Sequence, residues 1–129
     1  MLQAEEPAAS RVKELLLDGE QGRVTLLLSV VNLGEVYYHV GRHTGRVAAL
    51  GAVEDIRRLT VSIVPVSDEL VFAAADFKMA YAVSYADAFA AALADRVNAT
   101  LVSGDPDFDL LQGRIELEKL HRAKQQLPR

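Results

Sequence analysis

Three short apolar runs constrain this chain more than anything else in it: Thr25 to Val31 (TLLLSVV), Val61 to Val66 (VSIVPV) and Ala99 to Ser103 (ATLVS). None alternates apolar with polar residues as a strand with one wet face does, so each reads as a strand buried on both faces. Segments of helical period separate them. Residues 7–18 predict a helix with Pro7 at its first position, Val12, Leu15 and Leu16 on one stripe, and Gly19 and Gly22 at its end. After the first strand, Leu33, Val36, Tyr37 and Val40 recur at i, i+3, i+4 and i+7 in a helix closed by Gly41 or Gly45, and residues 46–59 predict another. Ser67 is placed to cap a helix carrying Leu70, Ala74, Phe77 and Tyr81. Ser84 opens ADAFAAALADRV, which is apolar nearly all round and therefore predicts a buried helix. Gly104 to Asp107 reads as a turn into a short helical stretch ending at Leu111, and Ile115 and Leu117 alternate with Glu116 and Glu118 as on an edge strand. Strands alternating with helices predict an α/β fold with a mostly parallel sheet.

A chain of 129 residues suits one domain, expected over 1–120, followed by a polar, basic tail over 121–129 that includes Arg122 and Lys124. With 14 Lys plus Arg against 18 Asp plus Glu, the net charge is −4, so the chain is not a general polyanion binder and any nucleic-acid contact has to be local. It has no cysteine, which excludes a disulfide scaffold, a thiolate metal site and a cysteine nucleophile. No apolar run approaches the ~20 residues that span a bilayer, and the first residues show no signal-peptide pattern, so a soluble, cytoplasmic protein is expected. Gly-rich phosphate loops, a GxSxG elbow and HExxH are absent. His39, His43 and His121 are not spaced as a zinc site and read as surface residues.

What remains is a set of isolated acids. Glu35 lies on the helix after the first strand, Asp87 is the one charge in the first half of an apolar helix, and Asp105 and Asp107 follow the third strand, at whose carboxyl end open α/β sheets bind ligands. Each also has a purely structural reading. Ser84-x-x-Asp87 is a capping-box pattern, and Asp105 before Pro106 suits an N-cap. By helical period, Glu35 falls with Tyr38, His39 and Arg42, opposite the Leu33/Val36/Val40 stripe, and so belongs on a solvated face.

Together, three segments resemble those of the PIN-domain family, and in particular its VapC-like ribonuclease toxins of type II toxin–antitoxin pairs. They are Ser29 to Val36 (SVVNLGEV), Ser84 to Ala94 (SYADAFAAALA) and Thr100 to Phe108 (TLVSGDPDF), in the family's order. The resemblance runs from about Leu2 to Leu120. It implies a PIN-like three-layer sandwich and a divalent-metal-dependent endoribonuclease that hydrolyses RNA phosphodiesters. Glu35, Asp87 and Asp105 would hold Mg²⁺ or Mn²⁺ and orient water, with Asp107 as an auxiliary acid. An all-oxygen donor set suits such hard cations. An antitoxin protein and a homodimer or higher oligomer are the implied partners. Arg42 and Arg46 are candidate phosphate contacts, followed by Arg57, Arg58 and the basic Lys119, Arg122 and Lys124. Gly34, Tyr37 and Tyr38 lie where relatives meet partners.

The family's opening is a hydrophobic strand that ends in an aspartate and lies centrally in a five-stranded parallel sheet. No such segment is present here, and Leu2 to Pro7 resembles the connector after it. Met1 is therefore expected to be a start inside a longer frame or the boundary of a shortened chain. Two consequences are expected. The metal site lacks one carboxylate unless Glu5 or Glu6 moves in. The strands TLLLS and ATLVS face each other with unpaired backbone groups, so the gap closes by sheet rearrangement, by self-association or by a strand from another chain. The alternative function is a catalytically silent PIN homologue that binds a protein or dimerises. A receiver-like signalling domain is disfavoured, since its acidic pair near the start and its Lys after the last strand are not in place.

Overall fold

In the computed structural model, which describes residues 6–121, the first strand is shorter than the apolar run that predicts it. β1 spans Leu27–Ser29, and Ser29 stops it by accepting a hydrogen bond on Oγ from Val31 N–H (3.2 Å), which caps the next helix, α2 (Val30–Thr44). The last two residues of TLLLSVV are thus helical. Ahead of β1 lies α1 (Ala8–Glu20), with Pro7 at its N-cap and Gly19 inside it rather than past its end. Gly19 is buried against β1's approach: a Cβ there would stand 3.0 Å from Leu26 Cδ1. Gly45, at φ 103°, separates α2 from α3 (Arg46–Arg58), a left-handed backbone that favours glycine. Gly41 stays within α2, where its bare backbone lets Ala49 of α3 approach.

β2 is Ser62–Val64, followed by α4 (Asp68–Ala80), whose N-cap Ser67 accepts from Leu70 N–H at 3.1 Å as the sequence predicts. α5 (Tyr85–Arg96) is the buried helix expected from its composition: Ala88, Phe89 and Ala91 to Ala94 are all inside. β3 (Leu101–Ser103) leads into a 3₁₀ helix (Pro106–Leu111), and β4 (Leu117–Lys119) closes the described chain. The core gathers Leu70, Ala74 and Phe77 of α4, the inner face of α5, Leu101, Phe108 and Leu111.

Every strand pairing is parallel, as the apolar runs imply. The sheet itself departs from expectation. β1 pairs with β2 (Leu28 beside Ile63) and β3 with β4 (Val102 beside Glu118), giving two separate two-stranded sheets among the described residues. Among the described residues β1 does not pair with β3. Because of this, Leu27 and Val102 are exposed instead of buried on both faces.

The two half-sheets are held in place by helices. α5 touches both β1 and β3. α1 passes close to Leu26 at Gly19, and at its other end Arg11 donates to Glu118 of β4 from Nε (2.6 Å) and Nη2 (3.1 Å). That pairing holds the Glu118 carboxyl below its usual range. Glu6 accepts from Ser10 N–H (3.0 Å), a contact at the start of α1, and does not join the acids past β3. Glu5, Arg122 and Lys124 lie outside the described residues. No helix among the described residues is long and apolar enough to cross a membrane.

Two substitutions test this packing. Phe77→Ala, in the core and with the Arg114 guanidinium 4.8 Å from its ring centre, is expected to lose about 3–5 kcal/mol of unfolding free energy. Ser67→Ala removes only a cap and is expected to lose about 1 kcal/mol. Urea denaturation measures both, and equal losses would contradict the assigned core.

Candidate metal centre

Asp105 follows the carboxyl end of β3 and Glu35 lies on the helix after β1, and both acids line the cavity that residues of the two strands also line. Past β3, Asp105 N–H donates to Ser103 Oγ (3.0 Å), and Asp105 Oδ1 in turn accepts from Asp107 N–H (2.9 Å). These bonds fold the GDPD turn back on itself and start the 3₁₀ helix with Pro106 in its first turn. Asp87 enters from the first turn of α5, where its N–H donates to Ser84 Oγ at 3.1 Å. The capping patterns are therefore real for both Asp87 and Asp105, and they coexist with clustering. Capping occupies the backbone N–H of Asp87 and fixes where its carboxylate stands.

Asp87, Asp105 and Asp107 each offer a carboxylate oxygen within 4.8 Å of the other two. Asp107, expected as an auxiliary acid, thus belongs to the same trio. Glu35 is outside that trio, although it lines the same cavity from α2. Its half-buried position overturns the solvated face that helical period predicts. The reason is tertiary: the Asn32/Glu35 side of α2 turns toward α5, where Asn32 Nδ2 donates both to Glu35 Oε1 (3.1 Å) and to Ala86 O (3.1 Å). Asn32 is the residue that sequence reasoning missed. Its signal was present, an amide three residues before Glu35 on one helix face.

Electrostatics set these acids apart. Asp87 holds its proton to higher pH than an ordinary aspartate, first because burial disfavours its charge and then because Asp105, Glu35 and Asp107 repel it; a hydrogen bond with Ser84 acts in the opposite direction. Among the described residues none of the four acids is in an ion pair. Mutually repelling carboxylates without a cation, all oxygen and no thiolate, fit a hard divalent ion.

The cationic candidates divide. Arg42 and Arg46 are exposed and unpaired among the described residues, and Arg42 lies seven residues past Glu35, about 10 Å along the helix. Arg58 is engaged by Asp55 and Glu54, and Lys119 by Asp109. Arg57 is exposed, as are His39, His43 and His121. Gly34 and Tyr38 are exposed and Tyr37 is half-buried on α2.

A family model for the PIN domain matches residues 1–113. The chain belongs to the PIN domain family. Its fold is similar to that of a chain in the crystal structure of VapBC2 from Rickettsia felis bound to a promoter DNA fragment, with 21% identity, a TM-score of 0.65, and coverage of 85% of this chain and 84% of that one. It is also similar to a chain of a toxin–antitoxin complex from Klebsiella pneumoniae, with 17% identity, a TM-score of 0.54, and coverage of 74% and 73%. A search of curated proteins finds no match.

The cluster predicts a linked response to cation and pH. A raised folded-state pKa means that the Asp87 contribution favours the fold below the unfolded-state pKa and is lost as pH rises through the folded-state value. In metal-free buffer at neutral pH, Asp87→Asn is therefore expected to raise Tm, by about 2 °C, through relief of like-charge repulsion. Mn²⁺ is expected to raise the Tm of the unaltered chain but not that of Asp87→Asn or Asp105→Asn. The Mn²⁺ effect should shrink as the pH falls toward the raised Asp87 pKa, because a protonated Asp87 is a poorer ligand. Thermal scans read all of these, and a Mn²⁺ shift that survives both substitutions would remove the cluster from consideration.

Proposed function

We propose that this PIN-domain protein is a VapC-like endoribonuclease, the toxin of a toxin–antitoxin pair, dependent on Mg²⁺ or Mn²⁺. The observation that carries the reading is the convergence of Asp87, Asp105 and Asp107 within 4.8 Å, with Glu35 facing the same cavity. The supporting similarities are family membership and the fold shared with chains of two toxin–antitoxin complexes.

In this reading Asp87, Asp105 and Asp107 hold the ion, whose chemistry is to lower the pKa of bound water and to offset phosphate charge. Glu35, fixed by Asn32, orients the attacking water from the α2 side. The attack breaks a P–O bond of the RNA backbone and leaves a phosphomonoester and a hydroxyl. Arg42 of α2 and Arg46 of α3, both exposed, are proposed to take up flanking phosphates, so that a chain of net charge −4 meets RNA through local cations. An antitoxin protein is the partner proposed on the same grounds, and self-association is proposed alongside it.

One observation favours a second reading. The gap between β1 and β3 adjoins the carboxylates, and a cluster bordering an incomplete sheet suits a silent binding module.

Incubation of structured RNA with the chain in Mn²⁺ separates the two. The nuclease reading expects cleavage that falls at least about 100-fold in Asp87→Asn and in Asp105→Asn, and several-fold in Arg42→Ala through weaker RNA binding. Cleavage that is unchanged in Asp87→Asn refutes the assigned site. Mn²⁺ binding without any cleavage supports the silent module.

A further inference from the structure

Glu35 lines the same cavity as Asp87 and Asp105 but stands outside the trio of acids that come within 4.8 Å of one another. One half-buried amide bears on that separation. Asn32 Nδ2 donates one N–H to Glu35 Oε1 (3.1 Å) on its own helix and the other to Ala86 O (3.1 Å) on α5. A carboxylate and a carbonyl only accept, so a single orientation of the amide suits both, and both of its N–H groups are engaged. Ala86 immediately precedes Asp87. The nitrogen that restrains Glu35 is therefore fixed to the peptide that leads into the first acid of the cluster.

Docking α2 on α5 needs the Ala86 bond alone. The second N–H goes instead to an acid that faces the cavity, in a chain where Glu35 has no ion-pair partner among the described residues. A glutamate on a helix samples several rotamers, and a carboxylate near a divalent cation is drawn onto it. The Asn32 bond opposes both tendencies, because it holds Oε1 on the α2 side of the cavity.

We propose that Asn32 is a positioning residue, which holds the Glu35 carboxylate off the metal ion, on the side where it orients water, and keeps it in register with Asp87 through Ala86. This inference rests on the nuclease reading. It adds the group that divides four acids into three ligands and one water-orienting carboxylate.

A double-substitution cycle tests it, read by RNA cleavage, Mn²⁺ binding and side-chain amide exchange. In single turnover, Asn32→Ala is expected to slow cleavage at least about tenfold and to leave RNA affinity within about twofold. In a Glu35→Ala background the same substitution is expected to change the rate by less than about twofold, because the acid it positions is gone. A merely structural tie between α2 and α5 predicts equal losses in both backgrounds, since the Ala86 bond is broken in each. Calorimetric titration is expected to show Mn²⁺ bound equally well or more tightly by Asn32→Ala, as the freed Glu35 then reaches the ion. A Glu35 that is already a ligand oriented by Asn32 predicts the opposite, binding weakened about tenfold or more. In the metal-free chain the Asn32 side-chain amide protons are expected to exchange slowly with solvent, and Glu35→Ala to speed that exchange. This last readout uses no Asn32 variant, so it stands even if Asn32→Ala does not fold. Equal losses in both backgrounds, weakened Mn²⁺ binding by Asn32→Ala, or amide exchange indifferent to Glu35 overturns the proposal and leaves the nuclease reading in place. An unaltered chain that cleaves no RNA overturns the nuclease reading, and this inference falls with it.

Discussion

A helix that is apolar nearly all round can be stable only when other elements cover it on several sides. α5 is that helix here. It packs against α4 and α2 and touches both β1 and β3, so the burial of Ala88, Phe89, Ala91, Ala92, Leu93 and Ala94 holds two half-sheets that share no backbone hydrogen bond among the described residues. Small side chains permit this close approach, and the alanines fill the interior with little loss of side-chain entropy. The same helix presents Asp87 from its first turn, where Ser84 caps the backbone. The apolar packing that organises the core also places the first acid of the cluster.

Charge works against this arrangement and gives it meaning. The core favours bringing β1, α5 and β3 together, and doing so gathers carboxylates whose mutual repulsion and partial burial push the Asp87 carboxyl up. A protein that uses Arg11 against Glu118, Arg114 against Asp95 and Lys119 against Asp109 leaves these acids without any such partner among the described residues. Unrelieved repulsion at one end of a cavity is a property that a divalent cation or a cationic side chain relieves. The proposed function draws on it at the carboxylates themselves.

Local chemistry explains which parts of the fold were legible. The caps at Ser67 and Ser84 follow from a hydroxyl placed three residues before its acceptor-seeking N–H, a relation contained within one turn. The buried nature of α5 follows from its composition, and the parallel pairing follows from strands that lack alternation. Strand lengths were less legible. Ser29 reads equally as strand interior and helix cap, and the cap prevails because α2 needs its first N–H groups satisfied. Glu35 was misread because helical period reports what lies opposite an apolar stripe; it does not report that a second helix, reached through Asn32 and Ala86 O, faces the polar side.

The order of elements, the identity of the acids and the positions that cap helices were set by the sequence alone, because each depends on contacts within a few residues or on the periodicity of one element. Which acids share a centre was decided only in three dimensions. Asp107 comes within 4.8 Å of Asp87, a residue 20 positions away, through the turn that Ser103 and Asp105 tie, whereas Glu35 stands apart on α2. The gap between β1 and β3 is expected from the missing strand, but that it stays open among the described residues is a tertiary fact. Both strands are as apolar as buried strands should be, yet their free edges meet no partner within the described chain, because hydrogen bonding between strands depends on which backbones come alongside each other and not on the character of either strand.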